Sequence, residues 1–161
     1  MSGKESVQVA RKLKEMREIH AALVDIISVM NQPQRDDVML QKAGVKLDGP
    51  LFPLLVGVQH FGPISVVELA DRAGRDHTTV SRQLAKLEKL GLIERRSSAS
   101  DQRVREALLS AHGRSVTDKI DAARQKLGIS IFSSWEEQEL TTFARHIRKF
   151  ANGIMSQPDM D

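Results

Sequence analysis

Apolar side chains recur every three or four residues over most of this chain, which is the spacing of one face of an α-helix. The longest series spans residues 5–31 and predicts a single long helix. Shorter apolar series at residues 50–61 and 66–73 predict two compact helices. Ser65 and Glu68 have the spacing of a capping box, in which each side chain satisfies a free backbone N–H where the second compact helix begins.

The segment between the long helix and the first compact helix lacks this periodicity. Residues 31–49 contain Pro33, Gly44 and Gly49, which favour breaks in regular structure. The sequence therefore predicts a loop here, which can hold one helical turn around residues 38–42.

The stretch from residue 75 to residue 105 predicts a helix followed by a two-stranded hairpin. Asp76 suits the N-cap, and Gly91 suits the position just past the helix end, where a left-handed conformation closes the last turn. One face of the helix is apolar and is predicted to be buried: Val80, Leu84, Leu87 and Leu90. The opposite face carries hydrogen-bond donors and positive charge: His77, Thr78, Ser81, Arg82, Lys86 and Lys89.

The hairpin consists of predicted strands at residues 92–96 and 104–109, joined by a polar loop with Arg103 near its tip. A short helix, a turn containing glycine and a longer basic helix form a helix-turn-helix, and the hairpin adds a wing. The helix start can enter the major groove of duplex DNA, while the hairpin reaches phosphates or the minor groove. The alternative is an ordinary solvated helix and hairpin that happen to be basic.

The charge distribution favours DNA as the partner of this stretch. Residues 72–105 contain nine Lys or Arg and four Asp or Glu, a net charge of +5, whereas the whole chain has a net charge of +3. The positive charge is therefore concentrated in one module, as in many nucleic-acid-binding domains.

Two further helices are predicted after the hairpin. Ser110 can cap a helix that runs to about residue 131, and Ser134 with Glu137 has the spacing of a capping box for a last helix that ends near residue 155. The last helix carries an apolar seam that favours a partner helix: Leu140, Phe143, Ile147, Phe150 and Ile154. We interpret the first helix and the last two helices as a dimerisation lobe; packing within one subunit is the alternative.

The composition excludes several classes of protein. The chain has 161 residues, of which 40% are hydrophobic and 28% charged, so a globular fold is expected. It has neither an apolar run long enough to span a membrane nor a signal-peptide pattern at its start, and a cytoplasmic location is the expectation. The absence of cysteine excludes thiol chemistry. Aromatic residues are only 4%, without Tyr, which disfavours single-strand binding by base stacking.

Several motifs in order along the chain resemble the MarR (multiple-antibiotic-resistance regulator) family over nearly its whole length. An Asp-x-Arg motif in the wing follows Gly-Leu-Ile at the distance typical of that family, and long helices lie at both ends. The wing also departs from the family pattern, because residues 97–100 are less charged than usual. The segments that carry the resemblance are residues 64–70, 79–84, 87–93, 101–103 and 109–110.

The resemblance implies a mainly α protein with a winged helix-turn-helix and a small β-hairpin wing, flanked by long N- and C-terminal helices that form a dimerisation lobe. It implies three segments, with an N-terminal helix and linker at 1–49, the DNA-binding domain at 50–110 and C-terminal helices at 111–161. The implied function is a sequence-specific transcriptional regulator, in particular a repressor, that binds a pseudo-palindromic operator as a homodimer. In that family a small ligand often releases the DNA.

The resemblance also assigns roles to individual residues. Arg103 is expected to enter the minor groove, with Asp101 orienting its guanidinium group through a bidentate pair. Lys86 and Arg95 are expected to contact backbone phosphates. The residues expected to face base edges and nearby phosphates are His77, Thr78, Thr79, Ser81 and Arg82.

An effector pocket is the least direct expectation. The resemblance implies a crevice between each DNA-binding lobe and the helical base, in which a small apolar or aromatic anion can change the spacing of the lobes. The residues expected to line it are Met16, His20, Phe52, Leu55 and His60, with the helix after the wing; ordinary core positions are the alternative for each. No cofactor is expected.

Two rival functions remain open at this point. Enzymatic activity is disfavoured, because the five histidines lie far apart and no zinc spacing, phosphate-binding glycine loop or nucleophile elbow is present. The second rival is a winged-helix module that binds another protein and has lost specific DNA binding. The net charge of +5 on residues 72–105 disfavours this second rival, because a module that no longer binds DNA does not need a basic surface.

Overall fold

The computed structural model describes residues 3–157, with side chains from residue 6 onward, and divides into two compact units at residues 1–120 and 121–161. The expected mainly α fold is confirmed. A single 3₁₀ turn at Gly49–Leu51 precedes the third helix. The helices are α1 (Gly3–Met30), α2 (Pro33–Ala43), α3 (Phe52–Phe61), α4 (Val66–Ala73), α5 (His77–Lys89), α6 (Ala111–Ile131) and α7 (Glu137–Met155), and the strands are β1 (Ile64–Ser65), β2 (Ile93–Ser97) and β3 (Arg105–Leu109).

The loop predicted for residues 31–49 is wrong over most of its length, because α2 occupies residues 33–43. Pro33 lies in the first turn of α2, where a missing N–H costs no intrahelical hydrogen bond, so this proline starts the helix instead of breaking it. Gly44 closes the helix in a left-handed conformation, with φ of 66°. Pro33 and Gly44 therefore mark the two ends of a helix.

The helix-turn-helix has the predicted bounds, and its two caps are local hydrogen bonds. Ser65 Oγ accepts from the Glu68 N–H at 3.2 Å. The second half of the predicted capping box is wrong, since the Glu68 carboxylate instead accepts from the guanidinium of Arg72 at 3.0 Å. Asp76 caps α5 through a hydrogen bond from the Thr79 N–H to Oδ2 at 2.8 Å.

Most of the apolar stripe of α5 is confirmed, and one position is not. Val80, Leu84 and Leu87 are fully buried, whereas Leu90 is 53% exposed. Leu90 is the C-cap of α5 and still has a helical φ of −77°, with its N–H donating to the carbonyl oxygen of Lys86 at 2.9 Å, so the core simply does not cover the last position of the stripe.

The wing belongs to a three-stranded antiparallel sheet of order β1-β3-β2. The predicted hairpin is present, with Ile93 opposite Leu109 and Ser97 opposite Arg105. The third strand, β1, was not predicted; it pairs Ile64 with Ala107 immediately before α4. This short strand connects the wing to the start of the helix-turn-helix.

Ser110 joins the wing to α6, as predicted. Its Oγ accepts from the Gly113 N–H at 2.9 Å and donates to the carbonyl oxygen of Gly91 at 2.5 Å. The same serine thus caps α6 and holds the turn that follows α5. Further along α6, Ile120 belongs to the hydrophobic core that also contains Leu54 and Leu84.

The second unit contains the end of α6 and all of α7. The predicted cap at Ser134 is wrong: α7 begins at Glu137, and the backbone N–H of Glu136 donates to the Glu139 carboxylate at 2.9 Å. The chain between the helices is held by edge-to-face aromatic contacts instead. Trp135 lies 5.1 Å from the ring of Phe132 and 5.2 Å from that of Phe143. In the part of the chain that the structure describes, no helix is long and apolar enough to cross a membrane.

Candidate nucleic-acid interface

The outward face of α5 presents polar and basic side chains over its first three turns. Of the residues predicted there, His77, Thr78, Arg82 and Lys86 are exposed, and Thr79 and Ser81 are partly buried. Buried Leu84 and Leu87 fix the opposite face in the core. The helix therefore cannot rotate about its axis without exposing apolar side chains, and its donors point in a defined direction.

The start of α5 is capped by the carboxylate of Asp76. The hydrogen bond from the Thr79 backbone N–H lowers the pKa of Asp76 below its usual range, with smaller contributions from the Thr79 side chain, His77 and Arg82. Because the folded-state pKa is lowered, the capped form is favoured above the ordinary aspartate range and is lost as pH falls through the lowered value. Near neutral pH the cap is therefore present.

The wing tip shows the bidentate arrangement that was expected for Asp101 and Arg103. Arg103 Nε and Nη2 donate to the two carboxylate oxygens of Asp101 at 3.1 and 3.3 Å, and the Arg103 backbone N–H donates to Oδ1 at 3.0 Å. These hydrogen bonds, led by that of the side chain, lower the pKa of Asp101. The Arg103 side chain is nevertheless 91% exposed, so the pair orients the guanidinium group without covering it.

Arg95, which was expected to contact a backbone phosphate, makes its observed contacts within the protein. Only 17% of its side chain is exposed, and it lies between β2 and α5. Its Nη2 donates to the carbonyl oxygen of Ser81 at 3.4 Å, and its Nε lies 3.6 Å from a carboxylate oxygen of Glu88 without forming a hydrogen bond. Arg95 thus ties the first strand of the wing to α5.

The neighbouring arginine takes the outward place that had been expected for Arg95. Arg96 is 55% exposed and lies 4.0 Å from Glu106, and Arg105 is exposed on the opposing strand. Sequence reasoning missed both as candidate phosphate contacts. The alternation of side chains along a strand was the available signal, because it places Arg95 and Arg96 on opposite faces of β2.

A contact between the two helices of the motif was also missed. His77 Nε2 lies 2.9 Å from Asp71 Oδ1, a carboxylate on α4. These residues come together only because α4 packs against α5. They lie six positions apart on two different helices, so the periodicity of a helix or a strand does not predict the pair.

The residues of the expected effector pocket have different environments. Phe52 and Leu55 are buried in the core of the first unit, Met16 and His20 are exposed on α1, and exposed His60 lies edge-on against the ring of Phe61 at 4.6 Å. A cavity of about 510 Å³ in that unit is lined by none of the five; its residues are Asp37, Leu40, Gln41, Val45, Lys46, Leu47, Asp48 and Leu90. Among the described residues, no cluster of His, Cys, Asp or Glu could hold a metal ion.

A helix-turn-helix with an outward basic face, joined to a three-stranded sheet with an exposed hairpin, defines the chain as a winged helix-turn-helix protein. The sequence profile of the MarR family matches residues 50–104 of this chain. A sequence relative, the uncharacterized HTH-type transcriptional regulator YxaD of Bacillus subtilis (strain 168), is 30% identical over 109 residues, which are 68% of this chain and 76% of that protein. The chain belongs to the MarR family of DNA-binding transcriptional regulators.

Solved structures agree with this fold. A MarR family protein from Bacillus stearothermophilus aligns with a TM-score of 0.62 at 22% identity, covering 97% of this chain and 100% of that one. RV1404 from Mycobacterium tuberculosis aligns with a TM-score of 0.63 at 22% identity, covering 91% of this chain and 97% of that one. At these identities the likeness concerns the fold alone.

Proposed function

We propose that this protein is a repressor that binds a pseudo-palindromic operator as a homodimer. The observation that carries the proposal is the pairing of the exposed polar start of α5 with an exposed, oriented arginine at the wing tip. The two elements are held in one unit by the sheet and by Arg95, so they approach DNA together. A helix start suits the major groove, and an exposed arginine suits the narrower minor groove beside it.

The proposed roles follow from exposure. Thr78 and Arg82 on the first turns of α5 reach base edges, together with His77; partly buried Ser81 and Thr79 contribute at the margin of that surface. Lys86 meets a backbone phosphate further along the groove. Arg103 enters the minor groove, and Asp101 keeps its guanidinium group extended. In place of Arg95, we propose Arg96 and Arg105 as the phosphate contacts of the wing.

The homodimer is supported by two apolar seams that stay exposed within their own units. Leu13 on α1 and Ile147 on α7 are each more than 40% exposed, as are several of their neighbours on the same faces. Contiguous apolar surface of this kind on a soluble chain marks an interaction site. A twofold dimer presents two α5 helices to two half-sites about one helical turn, roughly 10 base pairs, apart.

Selection of duplexes from a random-sequence library tests the function directly. The expected result is an inverted repeat, whose affinity falls steeply as the salt concentration rises because bound Lys and Arg release counterions. Titration at about 50 and about 200 mM salt measures that slope. Binding that is absent, or that does not depend on salt, contradicts the proposal and favours the protein-binding module instead.

Replacing Arg103 with alanine is expected to weaken operator binding by about 1–3 kcal/mol, the range of a good specific contact, with little change in stability because the side chain is exposed. Asp101→Ala is expected to weaken binding less, since the arginine remains but is no longer oriented. Fluorescence anisotropy with the selected duplex measures both. Arg124→Ala is the control, because it removes another partly exposed arginine that pairs with an aspartate, Asp121 at 2.7 Å, on α6 and outside the proposed DNA surface. Equal affinities for all three variants would place the wing away from DNA.

Release of the operator by a small apolar or aromatic anion stays a prediction. Of the five residues expected to line the pocket, Phe52 and Leu55 are buried in the core. The other three, Met16, His20 and His60, are exposed and accessible to a ligand. Calorimetry with simple aromatic carboxylates, on the free protein and on its operator complex, is the measurement. An effector must bind the two forms with different affinities.

A further inference from the structure

We propose that Asp71 is a positioning residue for DNA recognition: it fixes which ring nitrogen of His77 faces the DNA and so sets the base that His77 prefers. This inference rests on the proposed function. Asp71 lies on α4, outside the surface of α5 that is expected to contact bases. Its effect on recognition therefore passes through the histidine.

The geometry gives the histidine one defined partner. His77 Nε2 lies 2.9 Å from Asp71 Oδ1, and His77 is the first residue of α5, where the helix start faces the proposed groove. The two side chains are 53% and 66% exposed, so the pair lies at the surface and the rest of the ring is accessible to DNA. Asp76, the nearest acidic residue in sequence, is engaged as the cap of α5 by the Thr79 N–H.

The chemistry of the pair determines the tautomer. An ionised carboxylate can only accept hydrogen bonds, so a 2.9 Å contact with Asp71 places the proton of a neutral imidazole on Nε2. The other nitrogen, Nδ1, is then an acceptor. In the major groove an acceptor matches the exocyclic amino group of adenine or cytosine, whereas a donor matches N7 of either purine, O6 of guanine or O4 of thymine. Asp71 thus favours a base that presents an amino group.

The Asp71→Asn variant is expected to change this preference. An asparagine amide can donate to Nε2 or accept from it, so the tautomer is no longer fixed and Nδ1 can carry the proton and donate to the DNA. The ring can then donate a hydrogen bond to guanine at the same position of the duplex. Cytosine presents only an amino donor and guanine only acceptors, so the preference between these two bases is expected to shift on the order of tenfold, the size of one good base contact.

Glu68→Gln is the matched control, because it also removes one carboxylate from α4 and raises the net charge by the same amount. Glu68 pairs with Arg72 at 3.0 Å and is not a hydrogen-bond partner of His77. Both variants are expected to strengthen general attraction to DNA, but only Asp71→Asn is expected to alter base preference. In a His77→Gln background, Asp71→Asn is expected to leave the preference unchanged, because the ring whose tautomer it controls is gone.

The test uses the full-length protein in two measurements at about pH 8, where histidine side chains are ordinarily neutral. In the first, duplexes selected from the random library are varied one base pair at a time, and affinities are measured for wild type and the four variants. In the second, ¹⁵N NMR of the free protein, with the His77→Gln spectrum for assignment, reports which ring nitrogen of His77 carries the proton.

The outcomes separate this inference from the proposed function. The expected result is a protonated Nε2 in the wild-type protein, a shift of the proton toward Nδ1 in Asp71→Asn, and a change of preference at one position of each half-site. Specific duplex binding with the same preference in wild type and Asp71→Asn overturns the inference alone. A change of preference in Glu68→Gln equal to that in Asp71→Asn also overturns it. A library from which no duplex is enriched overturns the inference together with the proposed function.

Discussion

The Ile147→Asp variant is expected to dissociate into monomers at concentrations where the wild-type protein is a dimer. Ile147 lies on the seam of α7 and is 42% exposed within its own unit, so the proposed dimer must cover it. An unpaired carboxylate buried there costs about 3 kcal/mol or more. The twofold dimer contains two copies of the change, about 6 kcal/mol together, so its dissociation constant is expected to rise by about 10⁴-fold.

Sedimentation equilibrium over a range of concentrations measures this effect, and operator binding is expected to weaken in parallel because each monomer holds only one half-site. Asn152→Asp is the control: it adds the same charge to the same exposed helix, about 140° around the axis from Ile147. That variant is expected to stay dimeric. If the two variants have the same dissociation constant, the seam of α7 does not form the interface, and the exposed face of α1 becomes the next candidate.

Replacing Gly113 with alanine is expected to lower the free energy of unfolding by about 1–3 kcal/mol, and by more if the backbone cannot adjust. Gly113 lies in the first turn of α6, where an added Cβ would overlap the carbonyl oxygen of Leu92 and come within 2.9 Å of its carbonyl carbon. That carbonyl oxygen also accepts from the Ser110 N–H at 3.1 Å. Relieving the overlap therefore disturbs the connection between the wing and α6.

Gly128→Ala is the matched control in the same helix, because a Cβ at Gly128 has no heavy atom within 4 Å. Alanine is the better helix former, so this variant is expected to gain about 0.5–1 kcal/mol. Urea unfolding followed by circular dichroism measures both differences. A Gly113→Ala protein as stable as Gly128→Ala would mean that α6 and β2 are further apart than the structure shows.

The bounds of α4, α5 and the wing were predictable from sequence because local interactions define them. Asp76 caps α5 through a backbone group three residues away, and Ser65 does the same for α4. The apolar stripe of α5 repeats within a few turns, so it can be recognised without knowing what it packs against. Family membership was likewise recognisable, because its motifs are short segments at regular distances.

Each of the errors has a specific cause. Pro33 and Gly44 were taken for breaks, although each is also a residue that begins or ends a helix. Strand β1 has only two residues, too few to show the alternation of a strand, and it exists because β3 offers an edge to it. Leu90 keeps the helical spacing, but it is the C-cap at the end of α5, where the core no longer covers the stripe.

By itself, then, the sequence determined the helices other than α2, the caps of α4, α5 and α6, the hairpin of the wing and the family, because these depend on neighbours within a few residues. Only the tertiary structure decided which charged side chains are free to meet DNA. It packed the side chain of Arg95 from β2 against α5 and left Arg96 exposed, and it placed Asp71 against His77. Such assignments depend on contacts between separate elements, and the hydrogen bonds and exposure of a side chain are set only once those elements have packed.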